Sequence, residues 1–349
     1  MKILNVSLIV AIRLNFGSFL QAFALQNIFP ESIQLNTTDN YMDYINQKLR
    51  KIPFLNLILA YTRGRKRVNK YIHPEYQMLR LTEEAVHRNN ELKHFGNFDA
   101  YLLTSDQVWH DGSAKGRENL YFLNVKNNRA KRIAYAASLG KKEWPKAFEK
   151  KAIPYLKNMT AISVREESAK KYLESIGIKN VACVCDPVML LDGNFYKDAF
   201  KIQTKNTQEV FFYKLREEMP CVMTNIFENK LFTYDMENRT AQMSVTDWLT
   251  HIANAEFMVT DSFHGTVICI LFHKPFAVLL NRGARSGMND RFYTILEKTN
   301  LSYRILSANP SEEEIKQLVA KEIDWSNVDS ILEKWRAYSL DWLHNAVYG

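Results

Sequence analysis

Residues 256–272 read Glu256-Phe257-Met258-Val259-Thr260-Asp261-Ser262-Phe263-His264-Gly265-Thr266-Val267-Ile268-Cys269-Ile270-Leu271-Phe272. The first five are an apolar run of strand formers. The last six are an apolar block too continuous for a surface helix. The stretch therefore predicts a buried strand, a turn and a buried helix. Within the turn an acid, a hydroxyl and an imidazole fall inside four positions, followed by Gly265. The unpaired backbone N–H groups at the helix start favour an anion at the same spot. On these residues alone two readings stand: Asp261 or Ser262 simply caps the helix, or the turn binds a ligand.

Similar units run along the chain on both sides. The first strand begins at Met1 and ends near Ala11. A turn at Asn15-Phe16-Gly17-Ser18 leads to a helix over Phe19–Phe29, the opening of a Rossmann-like unit. Ile33-Gln34-Leu35 is a short strand, and residues 41–97 read as helical. Strands follow at Phe98–Leu103, Arg132–Ser138, Ala161–Val164 and Val181–Cys185. Beyond the polar stretch Lys201–Gln208 come strands at Glu209–Tyr213 and Pro275–Leu280, a helix over Trp248–Ala253, and closing helices at Ser311–Lys321 and Asn327–His344. Short apolar strands alternating with amphipathic helices predict parallel sheets covered on both faces. At 349 residues the chain is long for one domain. The expected division is an N-terminal Rossmann-like domain over 1–200, a C-terminal one over 208–322, and a closing helix over 323–349.

Composition narrows the function classes. A hydrophobic fraction of 46% and a charged fraction of 24% describe a globular protein with ample core. The formal charge of +8, from 46 Lys+Arg against 38 Asp+Glu, suits an anionic small molecule, lipid surface or nucleic acid. No RNA-recognition signature, zinc finger or basic heptad supports nucleic acid. No run of ~20 apolar residues spans a membrane. The N-terminal apolar run is interrupted by Arg13 and Asn15, so it reads as a strand rather than a signal peptide. The cysteines (Cys183, Cys185, Cys221, Cys269) match neither a zinc spacing nor a disulfide framework, which predicts buried free thiols in a reducing cytoplasm. Residues 48–70 place Phe54–Leu59 before Arg63, Arg65, Lys66, Arg67 and Lys70. That block is a helical hairpin or a peripheral contact with an anionic membrane surface, where a lipid-linked substrate would lie.

In open parallel sheets, ligands bind beyond the carboxyl ends of the strands. The strand-end residues are Asn15 to Ser18, Ser105-Asp106-Gln107, Ser138, Arg165, Asp186 and Asp261 to His264. Arg165 suits a carboxylate or phosphate. It equally suits an ion pair with Glu166 or Glu167. Trp109 suits core packing or the face of a sugar. Arg282, Arg285 and Arg291 follow a strand, and each is a candidate for an anion or for solvent.

Six pieces in order resemble the polysaccharide pyruvyl transferase family: Asn15–Leu25, Ser105–Trp109, Ile133–Gly140, Ser163–Ser168, Asp186–Leu191, and Thr260–Thr266 with Lys274-Pro275-Phe276. The resemblance implies an enzyme of surface-polysaccharide assembly with two Rossmann-like domains similar to the glycosyltransferase B architecture. It implies phosphoenolpyruvate as donor, a sugar acceptor (lipid-linked in some settings), a cyclic pyruvyl ketal as product and no permanently bound cofactor. The sequence shows no compact ligand set for a metal. It carries the donor-binding roles onto Arg165 and His264. Ser262, Phe263, Gly265 and Thr266 complete that side. Some members have Arg where this chain has Ser262, so Arg282, Arg285 and Arg291 become candidates for the missing cation. His264, Asp106 and Asp261 are the candidate proton-transfer groups. Asn15, Gly17, Ser18, Gln107 and Trp109 are the candidate acceptor contacts. Between Glu209 and Ser244 the family usually has a longer strand–helix–strand segment. Here Tyr213–Pro220 leaves room for a tight connection only, with Pro220 barring a helix through it, so the second domain is expected to be reduced. The alternatives are a nucleotide-sugar glycosyltransferase, or a non-catalytic relative that binds a glycan.

Overall fold

The computed structural model describes residues 1–7, 15–37, 74–86, 92, 98–125, 129–205, 207–236 and 243–349. The basic block over 48–70 lies outside them. The chain divides into two compact units, one of Met1–Pro187 with Leu340–Gly349, the other of Val188–Ser339.

The first unit is built from β1 (Ile3–Val6), α1 (Phe16–Ile28), β2 (Ile33–Thr37), β3 (Leu81–Val86), β4 (Ala100–Asp106), β5 (Lys131–Ala137), α2 (Lys146–Lys157), β6 (Ala161–Val164), α3 (Glu167–Ser175) and β7 (Ala182–Cys183). Its strands form one sheet in the order β3-β2-β1-β4-β5-β6-β7, all pairs parallel. The order reverses at β1 and β4, where Ile3 faces Ala100 and Val6 faces Leu103. Such a switch point opens a crevice at the strands' carboxyl ends. Asn15 starts α1 by accepting the Ser18 N–H on its side chain. Residues 16–26 of that helix are all buried, the pattern of a helix enclosed by its own domain. Residues 81–86 correct the helical reading of 41–97. Pairing of β3 along β2 overrides the helix preference of Glu83, Glu84 and Ala85.

The second unit contains α4 (Gly193–Ala199), β8 (Val210–Lys214), α5 (Cys221–Phe227), β9 (Leu231–Asp235), α6 (Val245–Asn254), β10 (Phe257–Thr260), α7 (Phe263–Leu271), β11 (Phe276–Val278), α8 (Asp290–Lys298) and α9 (Glu312–Ala320). Its parallel sheet runs β11-β10-β8-β9, with its own switch point between β10 and β8. A capping box of Ser244 and Asp247 opens α6. All nine residues of α7 are buried, and each large aliphatic side chain there contributes about 1.5–3 kcal/mol by leaving water. The final helix α10 (Trp325–Tyr348) begins in the second unit, and its last residues belong to the first.

Two parallel Rossmann-like units in one chain make up the glycosyltransferase B kind of fold, and the second sheet is the smaller one. One detail is corrected. A strand–helix–strand does connect β8 to β9, because Pro220 stands at the N-cap of α5 rather than inside it, where its missing N–H costs nothing. A second correction concerns the thiols: Cys183, Cys185 and Cys269 are buried, but Cys221 is exposed.

Candidate functional site

Each unit gathers polar side chains at its switch point. In the first, Asp106 ends β4 with a φ of 80°, a left-handed conformation that a non-glycine residue adopts at some cost. Its Oδ2 accepts the Ser18 hydroxyl at 2.8 Å and the Asn15 amide at 3.5 Å. Its Oδ1 accepts the Gln107 N–H at 2.9 Å. Gly17 lies in the buried first turn of α1, and Asn15, Ser18 and Asp106 meet at this strand end.

Arg165 follows β6 and is 2% exposed. Its Nη1 donates to Asp186 at 2.9 Å and its Nε to Glu166 at 3.2 Å. Gln21 donates to the same Asp186 oxygen at 2.8 Å, and Ser138 to the same Glu166 oxygen at 2.6 Å. Burial works against the charge of Arg165, but Glu166, Asp186 and Asp106 outweigh it and hold its pKa above the ordinary value. The guanidinium is thus paired with two internal carboxylates through Nε and Nη1. Trp109 is corrected. It is fully buried, its Nε1 donates to Tyr121 O at 2.9 Å, and its ring stacks on Phe122 at 5.8 Å, so it offers no face to a sugar.

In the second unit, Ser262 caps α7 by accepting the Gly265 N–H at 3.2 Å. Its own N–H donates to the Thr260 hydroxyl at 2.9 Å, and the Thr266 hydroxyl donates to Ser262 O at 3.1 Å. His264 is nearly buried, with its ring edge-on to Phe263 at 5.3 Å. The Arg291 guanidinium lies over that same Phe263 ring at 5.6 Å and over Phe292 at 5.4 Å. An imidazole and a guanidinium thus flank one aromatic ring at the start of a nine-residue buried helix, a setting that favours a small anion.

The other two arginines are placed differently. Arg285 is exposed. Arg282 is exposed, donates to Ala308 O at 2.8 Å and pairs with Glu217 at 3.9 Å. Asp261 is held by backbone donors. Its Oδ1 accepts the Leu215 N–H, and its Oδ2 accepts those of Arg216 and Glu217. Burial outweighs these donors and holds its pKa above the ordinary carboxylate value.

Sequence reading missed Gln21, Glu217 and Lys214. Gln21 lies one turn beyond Ser18 on the same face of α1, a spacing that was readable. Lys214 ends β8 and pairs with Asp235 at 2.9 Å, so strand-end position was its signal. Glu217 carried none. Among the described residues, no group of three His, Cys, Asp or Glu side chains is placed to hold a metal ion, and no helix is long and apolar enough to cross a membrane.

A family model described as polysaccharide pyruvyl transferase matches residues 15–283. No curated protein matches the chain. Among solved structures, the chain is similar to the UDP-GlcNAc 2-epimerase of Methanocaldococcus jannaschii (TM-score 0.51, 11% identity, covering 93% of each chain). It is also similar to a candidate UDP-N-acetylglucosamine 2-epimerase from Listeria monocytogenes (TM-score 0.51, 11% identity, covering 95% of this chain and 90% of that one). At such identity the likeness is one of fold alone.

Proposed function

The chain belongs to the polysaccharide pyruvyl transferase family, and we propose that it transfers pyruvate from phosphoenolpyruvate to two hydroxyls of one sugar in a surface polysaccharide or its precursor. The family match over residues 15–283 carries this reading. The pairing of His264 and Arg291 about Phe263 supports it.

The chemistry requires a held anion and two kinds of proton transfer. A proton reaches the methylene carbon of the donor, leaving an oxocarbenium-like centre that carries carboxylate and phosphate. One sugar hydroxyl adds to that centre and gives its proton to a base. The C–O bond to phosphate then breaks, and the second hydroxyl adds with loss of its proton. The products are the cyclic ketal and inorganic phosphate. Arg291 and the first N–H groups of α7 hold the donor's anionic groups. His264 serves the phosphate or the proton on carbon. Asp106 is our candidate base for the acceptor, with Asn15, Ser18 and Gln107 beside it. Arg165 positions these groups through Asp186 and Glu166 rather than holding the donor. The setting we propose is cytoplasmic, at the inner face of the membrane when the acceptor is lipid-linked, with no permanently bound cofactor.

The test is phosphate release from phosphoenolpyruvate over a panel of sugar acceptors, with mass spectrometry of the product for an added pyruvyl ketal. We expect His264→Ala to slow release by about a hundredfold or more. An unchanged rate in that variant, or release with no ketal formed, refutes the assignment.

A further inference from the structure

Three successive backbone N–H groups after β8 converge on one side chain. Leu215, Arg216 and Glu217 donate to Asp261 at 2.6, 2.7 and 2.9 Å. Consecutive amides arranged this way form a concavity that takes an anion. Here the anion is internal, and it spans the switch point of the second sheet. The first sheet does the same: Asp106, at the end of β4, crosses its own switch point to Asn15 and Ser18 at the start of α1. The network in the second unit reaches further. Glu217 Oε1 accepts the Arg282 N–H at 3.1 Å, and Arg282 Nη2 donates to Ala308 O at 2.8 Å.

We infer that Asp261 is a positioning residue whose carboxylate fixes the loop after β8 beside the start of α7, and that Glu217 extends the anchorage to the loop after β11 through Arg282. Both Asp261 oxygens already accept backbone donors. Three donors on the two oxygens hold the carboxylate in one orientation. Ser262, Phe263 and His264 follow Asp261 directly in the chain, so slack at the carboxylate is passed to the residues that face the ligand. The kinetic part of this inference rests on the pyruvyl-transfer reading; the anchorage does not.

Hydrogen exchange tests the anchorage without any substrate. In Asp261→Asn and Asp261→Ala, the amides of Arg216 and Glu217 should exchange about tenfold faster or more than in the parent. Those of Phe211 and Val259 in the strands should keep their protection. Parent-like exchange at Arg216 and Glu217 in Asp261→Ala overturns the inference. Should that variant fail to fold, Glu217→Gln leaves Asp261 in place and should speed exchange at Arg282, and unchanged exchange there removes the extension. With phosphoenolpyruvate, Asp261→Asn should raise KM by about tenfold and leave kcat within about threefold, with the pH limbs of kcat unmoved. A loss of kcat by about a hundredfold at constant KM, with one pH limb gone, would make Asp261 a proton-transfer group instead. If the parent forms no ketal, the exchange measurements still decide the anchorage, so the two readings fail separately.

Discussion

The guanidinium of Arg291 lies 5.6 Å from the centre of the Phe263 ring, and Phe263 is the residue before His264. Stacking of this kind is worth about 0.5–2 kcal/mol and orients the planar fork. It also separates Arg291 from Arg282 and Arg285, which are exposed. The measurement is initial-rate kinetics of phosphate release. Arg291→Lys keeps the charge and loses the fork, so KM for phosphoenolpyruvate should rise by about tenfold, and Arg291→Ala should raise it by about a hundredfold. A parent-like KM in Arg291→Ala would take this residue out of the donor site.

The pairing of Arg165 with Asp186 makes a different kind of prediction. Both side chains are almost wholly buried. Removing Asp186 takes one of two paired carboxylates from a buried guanidinium and leaves Glu166, so the cost lies toward the lower end of about 3–5 kcal/mol. Asp186→Ala should therefore lower the urea midpoint far more than the exposed change Lys230→Ala, which breaks a surface pair with Glu256. The double change Arg165→Met with Asp186→Leu should recover part of the loss, because it removes this pair together and leaves Glu166 with the Ser138 hydroxyl. A double variant no more stable than Asp186→Ala would show that shape, rather than charge pairing, sets the value of this cluster.

Strand and helix placement was legible wherever the apolar run was long. Glu209–Tyr213 and the strand–turn–helix around Asp261 are examples, because burial on both faces of a parallel sheet leaves a continuous apolar signature. The strand at Leu81–Val86 was not legible, since an edge strand carrying Glu83 and Glu84 has a helical composition and gains its identity from pairing with β2. The same limit applies to the sites. Strand ends pointed to Asn15, Ser18, Asp106 and His264. Which of them stay available for chemistry was hidden, because that depends on long-range partners. Arg165 is taken up by Asp186, twenty-one positions away. Asp261 is taken up by amides some forty-five positions earlier. Trp109 is taken up by Phe122 and Tyr121, which the pattern of the strand before it does not reveal.

Glu149 supplies a pH prediction. The Tyr172 hydroxyl donates to its Oε2 at 2.7 Å. That hydrogen bond and Lys146 hold the carboxyl below its ordinary value of 4.5. A depressed carboxyl pKa contributes stability that is fully present above the ordinary value and is lost as pH falls through the folded one. Tyr172→Phe removes the donor. The gap in urea midpoint between parent and variant should be widest above about pH 5 and narrow steadily toward pH 3. A gap that stays constant across that range would assign the effect of Tyr172 to packing alone.

Two glycines sit at close approaches of unequal stiffness. A Cβ added to Gly193 would stand 2.0 Å from the backbone oxygen of Leu271, and that oxygen cannot move without shifting the end of α7. A Cβ added to Gly265 would meet the Met258 methyl at 3.0 Å, the Thr260 hydroxyl at 3.1 Å and Ser262 Cβ at 3.2 Å. The methyl belongs to a flexible side chain that can give way. Gly193→Ala should therefore cost about 3 kcal/mol, the upper part of the range for overpacking, and Gly265→Ala about 1 kcal/mol, read from urea denaturation. The order should reverse for activity. Gly265→Ala crowds the Ser262 cap beside His264 and should raise KM for phosphoenolpyruvate several-fold, whereas any Gly193→Ala protein that remains folded should keep the parent KM. Finding Gly265→Ala both the less stable and the kinetically silent variant would separate the start of α7 from donor binding.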